Sequence, residues 1–395
     1  MFHVNSGALA ASSTLLVCFS HLRWDLVVQR PHHLLRRAAR TFHVIYFEEV
    51  IRHDGPDMVH TRMDQSGVMV ATPHLSHCTA DADGATRRLL DQMLGEVPHG
   101  ALITWYYTPM AMSFSAHLGA DVCVYDCMDE LSAFRFAPDA LGFLEDRLFS
   151  NCDLVFTGGR SLYEAKRHRH PDVLCLPSSI DTVHFGKARA PIVDPDDQRD
   201  LPKPRVGFFG VIDERMDLSL VRSTAAALPQ TQFVMLGPVV KISHDELPRG
   251  PNLHWLGPKS YDDLPAYLAN WQAGWMPFAL NEATRFISPT KTPEFLAAGL
   301  PLASTAIADV VTPYGHSGLV AIADAGTMPE VLRQSLTMPM PGLRRRVDNH
   351  LAGTSWDKTW AIMHQAIQAR VLPQTTVSTP VRAVNADQAT VANHV

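Results

Sequence analysis

Between residues 281 and 301 the chain reads Asn-Glu-Ala-Thr-Arg-Phe-Ile-Ser-Pro-Thr-Lys-Thr-Pro-Glu-Phe-Leu-Ala-Ala-Gly-Leu-Pro. An apolar run, Ala273-Gly274-Trp275-Met276-Pro277-Phe278, leads into this polar loop. The loop opens a short helix that stops at Gly299-Leu300-Pro301. Ser288 and Thr290 are N-capping residue types, and a proline such as Pro289 is tolerated in a first helical turn. A helix start carries unpaired N–H groups and the positive end of a dipole, which suits a phosphate. Lys291 adds a full positive charge where a cation is normally disfavoured. Glu294, one turn deeper, is placed to accept a hydrogen bond from a sugar hydroxyl. An ordinary capped helix with a solvated Lys and Glu is the plainer alternative.

Three other segments carry comparable chemistry, each after an apolar run. Ser20-His21-Leu22-Arg23-Trp24-Asp25 puts an aromatic face beside charged hydrogen-bonding groups, which suits a sugar. The alternative packs Trp24 under the next helix and pairs Arg23 with Asp25 at the surface. Gln29-Arg30-Pro31-His32-His33 then opens that helix, with Arg30 a better binding candidate than either histidine. In Tyr125-Asp126-Cys127-Met128-Asp129-Glu130, Asp126 closes a strand. Asp129 or Glu130 is a candidate general base towards an acceptor hydroxyl, or a group that holds the acceptor; a carboxylate capping the next helix is the alternative. Trp105-Tyr106-Tyr107-Thr108-Pro109 lines a pocket or belongs to a core.

The elements that must position these residues are short continuous apolar runs alternating with amphipathic stretches. Thr14–Ser20, His43–Phe47, Val68–Ala71, Leu102–Tyr106, Val122–Tyr125, Leu154–Thr157 and Val173–Leu176 read as strands. Helical patterns cover Gln29–Arg40, Pro109–Leu118, Ala140–Asn151 and Ser161–His168. After a Pro- and Asp-rich stretch the alternation restarts at Arg205–Gly210, then Gln232–Gly237, Leu253–Leu256, Ala273–Pro277, Leu302–Ser304 and Leu319–Ile322. Strands buried on both faces and joined by helices predict parallel sheets. The expected division is a flexible start (1–13), an α/β domain (14–190), a linker (191–204) and a second α/β domain (205–355). A helix over 356–370 returns to the first domain, and a disordered tail (371–395) follows. Ligands of such sheets bind beyond the carboxyl ends of the strands, which puts the site in the cleft between the domains.

Composition limits the functional classes. The chain has 395 residues, of which 46% are hydrophobic, enough for two sizeable cores. A net charge of -6 argues against a nucleic-acid partner. Six cysteines are scattered, several of them inside apolar runs, which reads as buried thiols in a reducing cytoplasm. The Cys123-x-x-x-Cys127 spacing completes no zinc site, so no metal is expected. No apolar run is long enough to span a bilayer, and no amphipathic basic helix marks a membrane anchor.

The chain resembles the GT-B fold glycosyltransferases of the group-1, nucleotide-sugar-dependent type. Cys152-Asp153-Leu154-Val155-Phe156-Thr157 through Ser161 resembles that family's A-D-x-V-x-x-x-S strand. Pro177-Ser178-Ser179-Ile180-Asp181-Thr182-Val183-His184-Phe185 resembles its P-N-G-V-D-x-x-x-F segment. Gly207–Gly210 with Asp213-Glu214-Arg215 resembles the opening of its second domain, and Glu294–Leu302 resembles E-x-x-A-x-G-x-P-V. The likeness spans roughly residues 14–370. Three positions depart from the pattern: Phe286 stands where a second glutamate is common, and Val211 and Met216 replace the usual Arg and Lys.

The resemblance implies two Rossmann-like domains facing across a cleft and transfer of a sugar from a nucleotide-diphosphate donor, of UDP type, to a glycan or lipid-linked acceptor. It implies retention by front-face attack assisted by the leaving diphosphate, cell-surface polysaccharide synthesis as the setting, and no bound metal or other cofactor. The protein would be cytoplasmic, with peripheral contact at the inner membrane face. The implied donor-side set is Gly210, Asp213, Arg215, Arg285, Ser288, Pro289, Thr290, Lys291 and Glu294, with Glu294 on the ribose. The acceptor-side set is Arg23, Trp24, Asp25, Arg30 and Asp126, and Lys291, Glu282 and Asp129 are the candidates for catalysis. An epimerase or phosphorylase on the same fold, and a binding protein that has lost activity, stay open as alternatives.

Overall fold

The structure is a computed structural model that describes residues 13–338 and 340–371. The expected flexible start and disordered tail lie almost wholly outside these residues. Two sheets organise the chain. The first contains β1 (Leu15–Phe19), β2 (His43–Phe47), β3 (Ile51–His53), β4 (Met58–Met63), β5 (Val68–Ser76), β6 (Leu102–Tyr106), β7 (Val122–Cys127), β8 (Leu154–Thr157) and β9 (Val173–Cys175). Its order is β3-β5-β2-β1-β6-β7-β8-β9, every neighbour parallel, with β4 added antiparallel on β5. The second contains β10 (Arg205–Phe209), β11 (Gln232–Leu236), β12 (Leu253–Gly257), β13 (Ala273–Met276), β14 (Leu302–Ser304) and β15 (Ala321–Ile322), all parallel in the order β12-β11-β10-β13-β14-β15.

Strand β1 shows why the apolar runs are continuous. Leu15, Val17 and Phe19 enter one hydrophobic cluster, while Leu16 and Cys18 enter another on the opposite face. Side chains alternate across a strand, so a sheet covered on both faces needs apolar residues at every position. Helices Arg30–Ala38 and Trp356–Val371 cover the second face, with Leu34, Leu35, Trp356, Trp360, Met363 and Ile367 in its cluster. The last helix is also held by Arg37–Asp357 at 2.9 Å and Arg370–Asp172 at 3.0 Å. Elements without a strong apolar pattern are additions to the sequence reading: β3, β4, the extension of β5 to Ser76, and helix Ala82–Gly95.

The stretch 191–204 has no helix or strand but is tied down. Asp194 pairs with the buried Arg205 at 2.6 Å, Asp197 with Lys259 at 2.7 Å, and Gln198 accepts from Trp271 Nε1 at 3.0 Å.

In each sheet the strand order reverses beside one strand, at β1/β6 and at β10/β13, and the loops leaving β1 and β10 face the space beyond the strand ends. The two halves meet around that space. The Arg135 backbone N–H reaches the Glu214 carboxylate at 3.4 Å, and Arg215 and Lys241 lie 5.3 and 4.9 Å from the Phe134 ring centroid.

Candidate functional site

A cleft of about 680 Å³ separates the two halves, within the range of small-molecule sites. Its walls are strand-end loops: Trp24–Arg30 after β1, Met128 and Asp129 after β7, Gly210, Val211 and Arg215 after β10, Pro258–Tyr261 after β12, and Ile287–Lys291 with Glu294 after β13.

Lys291 is the first residue of helix Lys291–Ala297. Among the described residues no ion pair or hydrogen bond engages its ammonium, which lies 6.0 Å from the Phe208 ring centroid. The Lys291 side chain runs over Gly210, where a Cβ would overlap its Cε. Gly210 also has φ +128, a conformation that side chains oppose, so glycine is required there twice over. Burial draws the Lys291 ammonium below the ordinary lysine range; Glu294 opposes that shift and Arg215 adds to it. An anion entering beside it favours the charged form and meets an ammonium with no hydrogen-bond or ion-pair partner among the described residues.

Glu294 is 8% exposed, and burial pushes its carboxyl up to about 7 against the pull of Lys291. Burial also raises Asp129, to about 6, with Arg215 opposing and Asp213 contributing. Two carboxyls and a lysine thus share one desolvated cleft, each shifted towards its neutral form. Such clustering is characteristic of functional sites.

The helix start differs from the reading of its sequence. Thr290 occupies the capping position in helical geometry, and its side chain caps nothing. The Thr292 N–H bonds Pro289 O at 3.1 Å, the Glu294 N–H bonds Thr290 O at 3.3 Å, and Pro293 has no N–H. The turn spends most of its amides internally, so the Lys291 ammonium rather than the helix end is the main attraction for an anion here.

Several candidates are not brought to the cleft. Glu282 begins a 3₁₀ turn, Glu282–Thr284, whose capping box between Asn281 and Thr284 turns it outward; it is 76% exposed and pairs with Arg285 at 3.5 Å. Arg285 lies over the neighbouring Phe286 ring at 5.1 Å, so neither charge faces a ligand. Arg23 turns away to Glu48 at 3.2 Å and to the Glu49 and Val50 carbonyls. Asp213 is buried in a fork with Arg215 and positions that guanidinium instead of lining the cleft. Asp126 is fully buried and bound bidentately by Arg30, whose Nη1 donates to Leu176 O at 2.7 Å. Arg30 touches the cleft wall with its charge already compensated. The Arg23–Asp25 pair is not formed; Asp25 pairs with Arg62 instead. Trp105 and Tyr107 are core.

Trp24 lines the cleft but is chiefly a packing residue: its ring meets His32 and Tyr46 at 4.4 and 4.8 Å, and Nε1 donates to Asp64 at 3.1 Å. Gly210, Arg215, Ser288, Pro289, Thr290, Lys291 and Glu294 come together on one wall, with Asp129, Trp24 and Asp25 on the other. Sequence reasoning missed Glu48, which accepts the Trp24 N–H at 2.7 Å and the Thr72 hydroxyl at 2.7 Å and so shapes the loop after β1. It also missed Lys259-Ser260-Tyr261, although their place after the apolar run Leu253–Leu256 marked them as strand-end residues. Tyr261 stacks on His184 at 4.2 Å and meets His33 edge-on at 5.6 Å, which holds its ring at the cleft wall.

Solved structures share this architecture over nearly the whole chain. Sucrose-phosphate synthase from Thermosynechococcus elongatus superposes with a TM-score of 0.69 at 14% identity, covering 90% of this chain and 98% of that one. The fold is GT-B. A trehalose-6-phosphate structure from E. coli bound with UDP-2-fluoro glucose gives 0.64 at 13% identity, covering 91% of this chain and 99% of the other. The UDP-forming trehalose-phosphate synthase of Burkholderia vietnamiensis gives 0.63 at 13%, over 90% and 97%. In sequence, the GT-B chain is 33% identical over 245 residues to the provisionally named teichuronic acid biosynthesis glycosyltransferase TuaH of Bacillus subtilis (strain 168). That match spans 55% of this chain and 59% of the relative. No protein-family model matches the chain. Among the described residues no helix is long and apolar enough to cross a membrane, and no cluster of three or more His, Cys, Asp or Glu is arranged to hold a metal ion.

Proposed function

We propose that the protein transfers a sugar from a nucleotide-diphosphate sugar to a hydroxyl of a glycan or lipid-linked acceptor in cell-surface polysaccharide synthesis. The observation that carries this reading is the unpartnered Lys291 ammonium, lying over Gly210 and one helical turn from Glu294, in the cleft of a GT-B fold. The ammonium and the Arg215 guanidinium take the diphosphate without a metal, and Glu294 accepts hydrogen bonds from the ribose. Asp129, on the opposite wall, holds the acceptor hydroxyl or receives its proton.

In this scheme the anomeric carbon–oxygen bond to the diphosphate breaks and a bond to the acceptor oxygen forms. The acceptor proton leaves to Asp129 or to the departing phosphate oxygen. Fixed positive charge at the leaving group supplies most of the rate, because it stabilises charge that develops in the transition state. A UDP donor and retention of configuration are supported by the neighbours' own descriptions, which include bound UDP-2-fluoro glucose and glycosyltransfer with retention. The teichuronic acid relative supports the polysaccharide setting.

Calorimetry against UDP-, GDP-, ADP- and dTDP-sugars tests the donor, with saturable binding of one class expected. Release of free nucleoside diphosphate that depends on added acceptor distinguishes transfer from epimerisation. Absence of binding to all four classes sinks the reading.

A further inference from the structure

Gly159 starts helix Arg160–Lys166 in the first half of the chain, and its backbone is extended at φ -164 and ψ 166, a conformation open to any residue. Space, not strain, excludes a side chain. A Cβ there would overlap Asp309 Oδ2 and lie 2.7 Å from the Ser288 Cβ. Both obstacles belong to the second half. Asp309 Oδ1 also accepts the Ser161 N–H at 3.0 Å, so the second half caps a helix whose own capping residue has no side chain. Asp309 is 8% exposed, and among the described residues no hydrogen bond engages its buried Oδ2.

The preceding residue repeats the pattern on the other side. A Cβ on Gly158 would lie 2.9 Å from both Met128 Cα and Met128 O, and its N–H bonds Cys127 O at 2.8 Å. Two adjacent glycines therefore touch the turn carrying Asp129 on one flank and the loop carrying Ser288 on the other.

We propose that Gly159 and Asp309 are positioning residues for the transfer: their contact sets how closely the Ser288–Lys291 loop approaches Asp129 across the cleft. The proposal rests on the transferase reading of the cleft. Gly210, Arg215 and Lys291 all stand on the second sheet's side and Asp129 on the first. A change at this contact moves acceptor against donor while leaving the diphosphate groups as they are. Displacement by about 1 Å from a reactive arrangement costs on the order of 100-fold in rate.

Gly159→Ala, Asp309→Ala and Asp309→Asn test this with UDP binding by calorimetry, UDP-sugar turnover and solution scattering. Gly159→Ala is expected to lose about 100-fold in turnover while its Kd for UDP stays within about threefold, and to enlarge the radius of gyration. Asp309→Asn keeps an oxygen for the Ser161 N–H and is expected to turn over near the wild-type rate, whereas Asp309→Ala falls towards Gly159→Ala. Unchanged turnover in Gly159→Ala, or a parallel loss of UDP affinity, overturns the proposal. A wild-type protein that binds no nucleoside diphosphate sinks the transferase reading instead. Scattering still judges the contact in that case: an unchanged radius of gyration in Gly159→Ala shows that it spaces nothing.

Discussion

Replacing Glu294 by Gln removes a carboxyl that the fold holds out of water beside Lys291. Burial raises its pKa to about 7, from a value near 4.5 in the unfolded chain. The folded state therefore binds the proton more tightly, and unfolding stability falls as pH rises between those two values. The penalty is absent below about 4.5 and complete above about 7. At about 1.4 kcal/mol per pKa unit, ionising Glu294 costs the folded state roughly 3 kcal/mol. Glutamine fills similar space and has no such penalty. Urea unfolding of both proteins at pH 5 and pH 8 measures the effect, with the free energy of wild type expected to drop by roughly 2–3 kcal/mol more than that of Glu294→Gln. The same substitution weakens the hydrogen bonds offered to a ribose, so the more stable variant is expected to bind UDP more weakly. Identical pH dependence of the two proteins refutes the burial argument.

Lys291→Ala is expected to weaken UDP binding by about 1.5–3 kcal/mol, the usual worth of a hydrogen bond to a charged group, as calorimetry would show. Gly210→Ala is expected to match it, because the new methyl displaces the Lys291 side chain and opposes φ +128. Glu282→Ala and Arg285→Ala are expected to leave turnover near the wild-type rate, since both side chains face solvent. Arg30→Met strands Asp126 in the core and is expected to cost about 3–5 kcal/mol in urea unfolding. Turnover is expected to fall as pH drops below about 6, where Asp129 takes up a proton, and a flat profile down to pH 5 refutes its role with the acceptor.

Strands such as β1 and β6 were legible in sequence because burial on both faces leaves Leu-Leu-Val-Cys-Phe and Leu-Ile-Thr-Trp-Tyr with almost no polar interruption. Edge strand β4, Met-Val-His-Thr-Arg-Met, has one buried residue and gives no comparable pattern. At the cleft, Lys291, Glu294 and Asp129 stood at strand ends or a helix start, where local sequence states what faces the space between the sheets. Glu282 was misread because its direction is set by the Asn281–Thr284 capping box. Asp126 was misread because its partner Arg30 lies 96 residues away. Glu48 and Asp309 act only through contacts between segments distant in sequence, and no local pattern announces such residues.

Helix Trp356–Val371 has a consequence for recombination. The chain leaves the first sheet after β9, builds the second, and returns sixteen residues to the first. The folding unit around the first sheet is therefore discontinuous in sequence. A chimera joined at a single point near residue 190 would cover Leu16, Trp105 and Phe156 with a foreign helix, and Trp356, Trp360, Met363 and Ile367 would meet a surface they do not match. The half built on the second sheet can be exchanged between relatives only as an insert, cut on both sides, with the final helix kept from the parent of the first sheet.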